Sequence, residues 1–182
     1  SHFFKMENEK ESKKENIYVF VYGTLKRNQP NYNYLVDTNT GESKFVCEAK
    51  TIDKWPLVIA SKFNIPYLLY AKGVGNRICG EIYSVNESKM AFLDDFEGYP
   101  KYYNRFQIPV EITSNGYNSS NVQEKLLTPW IYMLTDFEPQ LLHLPMHECY
   151  DSFGSHGLRY VERCERYKFK DYNALNDVKC KQ

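Results

Sequence analysis

No charge of either sign prevails in this chain. Its 182 residues carry 23 Lys and Arg against 23 Asp and Glu, for a formal net charge of zero. That balance lacks the basic footprint needed to grip nucleic acid or an anionic bilayer, so neither is an expected partner. Long hydrophobic runs are missing too. The longest, Ile17–Tyr22 and Trp55–Ala60, are of strand length and far short of the ~20 apolar residues of a membrane-spanning helix. The cysteines Cys47, Cys79, Cys149, Cys164 and Cys180 are odd in number and contain no C-x-x-C pair. This spacing argues against a disulfide framework and for reduced thiols in a cytoplasmic protein. His143, His147 and Cys149 lie near one another, but no second cluster completes a four-ligand set. Packing or loop roles are the commoner reading for them, and no metal or cofactor is expected. No Walker loop, dinucleotide fingerprint or G-x-S-x-G elbow occurs, and no internal repeat is visible.

Aromatic residues, by contrast, are abundant. Sixteen Tyr and eleven Phe bring the aromatic share to 16%, within a hydrophobic share of 42% that excludes chain-wide disorder. Residues 1–16 form a Lys/Glu-rich lead without a periodic apolar face, expected to be disordered or a cloning remnant. Residues 17–163 are expected to form one domain, and residues 164–182 a charged tail. Strands are predicted over Ile17–Tyr22, Phe45–Asp53, Leu57–Ala60, Ile78–Val85, Tyr103–Thr113 and Thr128–Leu134. A short helix is predicted near Tyr32–Val36. The clearest helix follows Asn86, a good N-cap, with Glu87 in its first turn. Its apolar stripe is Met90, Leu93 and Phe96, with Asp94 and Asp95 free to face water and Gly98 as its stop. Ser114–Lys125 is polar and suggests a mobile hairpin loop. The fold class is α+β, with a small mixed, barrel-like sheet and a few packed helices.

Two places offer chemistry. The turn Tyr22-Gly23-Thr24-Leu25-Lys26 follows a buried strand, where glycine lets the chain bend and turn amide N–H groups outward toward a carboxylate or an oxyanion. Taken alone, such a glycine is most often only a turn. Glu97 stands at the end of the predicted helix, beside Asp94 and Asp95 and between Phe96 and Tyr99. The helix dipole, the like charges and partial burial would each raise its pKa toward that of a useful general base. From residue types alone, a solvated carboxylate is the commoner alternative. His156 has no serine-hydrolase context, and H-G-L-R-Y (His156–Tyr160) is expected to fold its aromatic and basic side chains onto the surface. Cys47 and Cys79 are expected as small buried hydrophobes in strands.

V-F-V-Y-G-T-L-K (Val19–Lys26), W-P-L-V-I-A (Trp55–Ala60), N-I-P-Y-L-L (Asn64–Leu69), G-E-I-Y (Gly80–Tyr83), F-L-D-D-F-E-G-Y-P (Phe92–Pro100) and Y-D-S-F-G-S-H-G-L-R-Y (Tyr150–Tyr160) occur in that order. Together they resemble the γ-glutamylamine cyclotransferases, within the γ-glutamylcyclotransferase/AIG2-like superfamily. The resemblance spans roughly Tyr18 to Tyr160. It implies that fold, with Glu97 as the catalytic acid/base and the Tyr22, Gly23, Thr24 and Leu25 turn as the substrate-binding loop. The implied substrate is a small γ-glutamyl amine, notably the Nε-(γ-glutamyl)lysine isopeptide, converted to 5-oxoproline and free amine without water or covalent intermediate. γ-Glutamyl amino acids or glutathione are the alternative substrates, and a non-catalytic binding module is the alternative function. Tyr67 and Tyr103 are expected pocket walls, and a monomer is expected. One departure stands out: the family commonly has Gly where this chain has Asn28.

Overall fold

The structure, a computed structural model, describes residues 16–114 and 125–180. The expected lead, apart from Asn16, and nearly all of the Ser114–Lys125 loop lie outside the described residues.

The strands are β1 (Ile17–Val21), β2 (Ser43–Trp55), β3 (Leu57–Ala60), β4 (Ile65–Leu68), β5 (Asn76–Val85), β6 (Asn104–Gln107), β7 (Val110–Ser114), β8 (Leu126–Leu127) and β9 (Trp130–Met133). Helices α1 (Tyr32–Val36), α2 (Glu87–Phe96) and α3 (Leu175–Val178) join them, with 3-10 segments at Thr38–Thr40, Pro139–His143 and Arg163–Phe169. One sheet runs β6-β9-β1-β5-β2-β7-β8, and β3-β4 is a separate hairpin. β1 pairs antiparallel with β5 and parallel with β9, so the large sheet is mixed.

Only Ile108 and Pro109 separate β6 from β7, yet the two strands stand five places apart in the sheet. In a flat sheet that distance is about 24 Å, whereas so short a link reaches about 11 Å. The sheet therefore curls until its two ends approach. β8 and β9, separated by Thr128 and Pro129, impose the same closure. The expected continuous strand over Tyr103–Thr113 thus breaks at Pro109, which has no N–H to donate. Ile108 N–H donates across the break to the Pro129 carbonyl at 3.1 Å, and Ile52 N–H to the Pro109 carbonyl at 3.1 Å.

Both faces of β1 are buried, which accounts for its unbroken apolar run. Phe20 joins a cluster with Ile78, Ile82, Ile131 and Met133, while Val19 and Val21 pack beneath α2 with Leu35, Tyr83 and Leu93. Gly80 on β5 makes room for Phe20: a Cβ there would lie 2.4 Å from the ring. Asn86 caps α2 as expected, its Oδ1 accepting the Lys89 N–H at 2.9 Å. Lys89 is buried, and its Nζ donates to the Asp37 carbonyl at 2.8 Å and Thr40 Oγ1 at 2.6 Å.

Four expectations change. Cys79 and Cys149 form a disulfide rather than two free thiols, bringing together residues 70 positions apart that spacing alone could not pair. Tyr160 is buried rather than spread on the surface, because its hydroxyl meets Asn31 inside the domain. Asp94 is only partly exposed rather than free in water: it pairs with Arg105 Nε at 2.9 Å and accepts the Tyr132 hydroxyl at 2.7 Å. The stretch expected as a charged tail packs back onto the domain, with Val178 fully buried beside Tyr67, Leu69 and Leu134. Among the described residues, no helix is long and apolar enough to cross a membrane.

Candidate active site

The turn after β1 is held from outside by its own basic residues. Arg27 donates its backbone N–H and its Nε to the two carboxylate oxygens of Glu81, at 2.9 and 3.0 Å. Glu81 is buried on β5 and also accepts the Tyr83 hydroxyl at 3.1 Å. Lys26 Nζ donates to the Tyr150 carbonyl at 2.5 Å, and burial lowers its pKa. Asn28 adopts φ 64°, the left-handed conformation that asparagine tolerates better than most residues. This is a physical reason for Asn at a position the family commonly fills with Gly.

Inside the turn, Asn31 is the fastener. Its N–H donates to the Thr24 carbonyl at 2.9 Å, and its Nδ2 to Thr24 Oγ1 at 3.0 Å and the Tyr160 hydroxyl at 2.9 Å. Gly23 packs against Pro66 of β4, where a Cβ would come within 3.0 Å of the proline ring. Among the described residues, the amides of Gly23, Thr24 and Leu25 donate to no protein acceptor. A rigid turn with unengaged N–H groups is suited to hold an oxygen anion.

The D-S-F-G-S-H-G segment braces this turn. Ser152 N–H donates to Gln29 Oε1 at 2.8 Å, and Gln29 Nε2 donates to Asp151 Oδ1 at 3.1 Å. His156 Nδ1 accepts the Leu158 N–H at 2.8 Å, so its Nε2 carries the proton donated to the Asp151 carbonyl at 2.6 Å. His156 is thus a loop clamp, consistent with the absence of a hydrolase motif around it.

Glu97 is the C-cap of α2, and Gly98 follows at φ 64° to stop the helix. Its side chain is half-buried, packed by protein and open toward a cavity of about 630 Å³. Burial raises its pKa to about 7, while the positive charge of Arg163 pulls the other way. The expected rise is present, but burial rather than neighbouring carboxylates drives it. Asp94 is already engaged by Arg105 and Tyr132. Tyr132 also supplies the carbonyl that accepts the Tyr22 hydroxyl at 2.8 Å, fixing that ring near Glu97.

All seven residues singled out from the sequence line this one cavity: Tyr22, Gly23, Thr24, Leu25, Tyr67, Tyr103 and Glu97. Tyr67 and Tyr103 stack with ring centroids 6.2 Å apart. Burial, followed by nearby tyrosines and, for Tyr103, Glu97, raises the Tyr103 hydroxyl well above its ordinary value. Asn31, Tyr132, Tyr160, Arg163 and Arg166 also line the cavity and were not anticipated from the sequence. The Arg-rich pattern R-x-x-R was the available signal for the last two, in a stretch that otherwise has a tail's composition.

His143, His147 and Cys149 do not gather as a metal site. Cys149 is bonded to Cys79, and His147 lies edge-on to His156 at 5.4 Å. Among the described residues, the grouping with metal-like spacing is Cys79, Glu148 and Cys149, two of whose three donors are spent in the disulfide.

Residues 19–152 match the family described as γ-glutamyl cyclotransferase, AIG2-like. The chain belongs to that family. It is 44% identical over 149 residues to γ-glutamylaminecyclotransferase C of Danio rerio, covering 82% of this chain and 95% of that protein. The γ-glutamylaminecyclotransferase of Mus musculus is 43% identical over 152 residues, covering 82% and 99%. The crystal structure of an AIG2-like protein from Mus musculus superposes with a TM-score of 0.76 at 41% identity, covering 82% of this chain and 97% of that one. The curled mixed sheet is therefore the γ-glutamyl cyclotransferase fold, as the motif order implied.

Proposed function

We propose that this chain is a γ-glutamylamine cyclotransferase that releases 5-oxoproline and a free amine from a small γ-glutamyl amine, Glu97 acting as the acid/base. One observation carries the reading: a carboxyl group raised to about 7 opens into the same cavity as three amides that, among the described residues, donate to no protein acceptor. The named relatives support the substrate class.

The steps follow from those groups. The α-ammonium of the γ-glutamyl moiety gives a proton to the Glu97 carboxylate. The freed nitrogen then attacks the γ-carbonyl carbon, and the five-membered ring closes. A carboxyl near 7 exchanges protons readily at neutral pH, so it can take that proton and return it to the departing nitrogen as the old C–N bond breaks. The amides of Gly23, Thr24 and Leu25 serve either the developing oxyanion or the glutamyl carboxylate. Tyr22, Tyr67 and Tyr103 wall the cavity and favour the curled conformer in which the tethered amine meets the carbonyl. The attacking nitrogen sheds a second proton as it becomes the lactam N–H, and the departing amine takes it up to leave as an ammonium, so protons and bonds balance without water.

The activity test is turnover of Nε-(γ-glutamyl)lysine in ¹⁸O-labelled water. Ring closure yields unlabelled 5-oxoproline and lysine, whereas labelled glutamate would show an amidase. Glutathione consumed in preference to the isopeptide would move the substrate assignment. A cytoplasmic setting is part of the proposal. Recovery of the Cys79–Cys149 bridge intact from thiol-blocked cell extracts would count against it.

A further inference from the structure

Arg166 lies on the cavity wall with its bonding incomplete. Its Nε donates to the Val161 carbonyl at 3.0 Å. Its guanidinium carbon lies 4.3 Å from the centroid of the Phe63 ring and 5.1 Å from that of Tyr160. These contacts orient the planar group. Its Nη2, however, is buried and, among the described residues, has no hydrogen-bond partner. Among the described residues, no carboxylate forms an ion pair with it. A buried donor is costly to leave unpaired, and a guanidinium fork matches a carboxylate.

Two arginines of the segment Arg163–Phe169 divide the cavity between them. Arg163 sits 4.3 Å over the Phe96 ring, and its charge reaches Glu97. Arg166 acts instead on Tyr67, which is stacked on Tyr103, the ring whose hydroxyl feels Glu97. The glutamyl carboxylate shares a carbon with the attacking amine, so it must stay near Glu97. A lysine leaving group carries a second carboxylate about 8 Å from the scissile nitrogen when extended. That second group is the one that can reach past the tyrosine pair.

We infer that Arg166 anchors the carboxylate of the departing amine, giving the enzyme a preference for γ-glutamyl amines whose amine is itself an amino acid. The inference rests on the ring-closing activity proposed above.

The test compares Nε-(γ-glutamyl)lysine with γ-glutamyl-n-butylamine, which lacks the second carboxylate, in the wild type, Arg166→Gln and Arg166→Lys. For Arg166→Gln, KM for the isopeptide is expected to rise at least about tenfold, with kcat held within about twofold. KM for the butylamine substrate is expected to stay unchanged, and that turnover doubles as the control for folding. Arg166→Lys, which keeps the charge without the fork, is expected to recover part of the loss. Equal KM increases on both substrates, or none on either, overturn the assignment. If the wild type releases 5-oxoproline from neither substrate, the proposed activity fails and the anchor with it. Release from both with no change in Arg166→Gln defeats the anchor alone.

Discussion

Glu97 has an acidity tuned by burial, and the tuning has two consequences with defined signs. As a base it must be deprotonated, so kcat/KM should rise with pH and level off above about 7. Glu97→Gln is expected to lower kcat by about 10²–10⁴-fold while 5-oxoproline still binds; full activity in a folded variant would remove Glu97 from the mechanism. Stability runs the other way. A carboxyl raised from 4.5 to about 7 in the native state holds its proton more tightly folded than unfolded. Its contribution is therefore most favourable below 4.5 and is lost as pH rises through about 7. Glu97→Gln should consequently be more stable than the wild type at pH 8.5, by at most about 3 kcal/mol, and the gap should close at pH 4. Melting curves at the two pH values decide this. Arg163 supplies an independent check: because its charge lowers the Glu97 pKa, Arg163→Met should move the acid limb of the kcat/KM profile upward. A downward or absent shift would place the Arg163 charge elsewhere.

At the level of elements, the sequence motifs turn out to be fastenings around one turn. Gly80 admits the Phe20 ring, and Glu81 holds Arg27. Pro66 lies against Gly23, and Ser152 reaches Gln29. These partners are distant in sequence, so the composition of Y-G-T-L suggested an anion-binding turn without saying what kept it rigid. Asn31→Ala tests that rigidity. It leaves the Thr24 hydroxyl and the buried Tyr160 hydroxyl without their shared donor, at a cost of about 1–3 kcal/mol. A fall in kcat/KM should accompany the lower melting temperature. If activity is kept while stability drops, the Arg27–Glu81 contact alone suffices to shape the turn. Helix α2 was legible because a cap, a stripe and a stop agree over ten residues. Asp94 reads as solvent-facing from the helix pattern alone because its partners, Arg105 and Tyr132, come from the strands β6 and β9. Arg163 and Arg166 were hidden by their setting, since a run rich in Lys, Arg and Glu has a tail's composition whether or not Val178 beyond it is buried.

Over the whole molecule, the curled sheet is the feature that single segments could least express. Its strands were mostly visible, but closure depends on Pro109 and Pro129 interrupting two strands at the same level, which only their pairing reveals. Residues between 163 and 175 also line the cavity, so its walls come from both halves of the sequence. The Cys79–Cys149 bridge adds a covalent tie across this topology. It joins β5 to the stretch leading into Tyr150, whose carbonyl receives Lys26 of the turn. Because 70 residues separate the cysteines, the tie restricts the unfolded chain by about 4 kcal/mol on a loop-entropy account. For a domain of this size, that corresponds to a melting temperature lowered by roughly 8–16 °C upon reduction. Cys79→Ser and Cys149→Ser should each reproduce the shift, and the double variant should add little, since either change opens the same loop. Reduction that leaves the melting temperature of the wild type unchanged would mean that sheet closure alone holds the domain, with the two sulfurs as neighbours in a fold that does not need their bond.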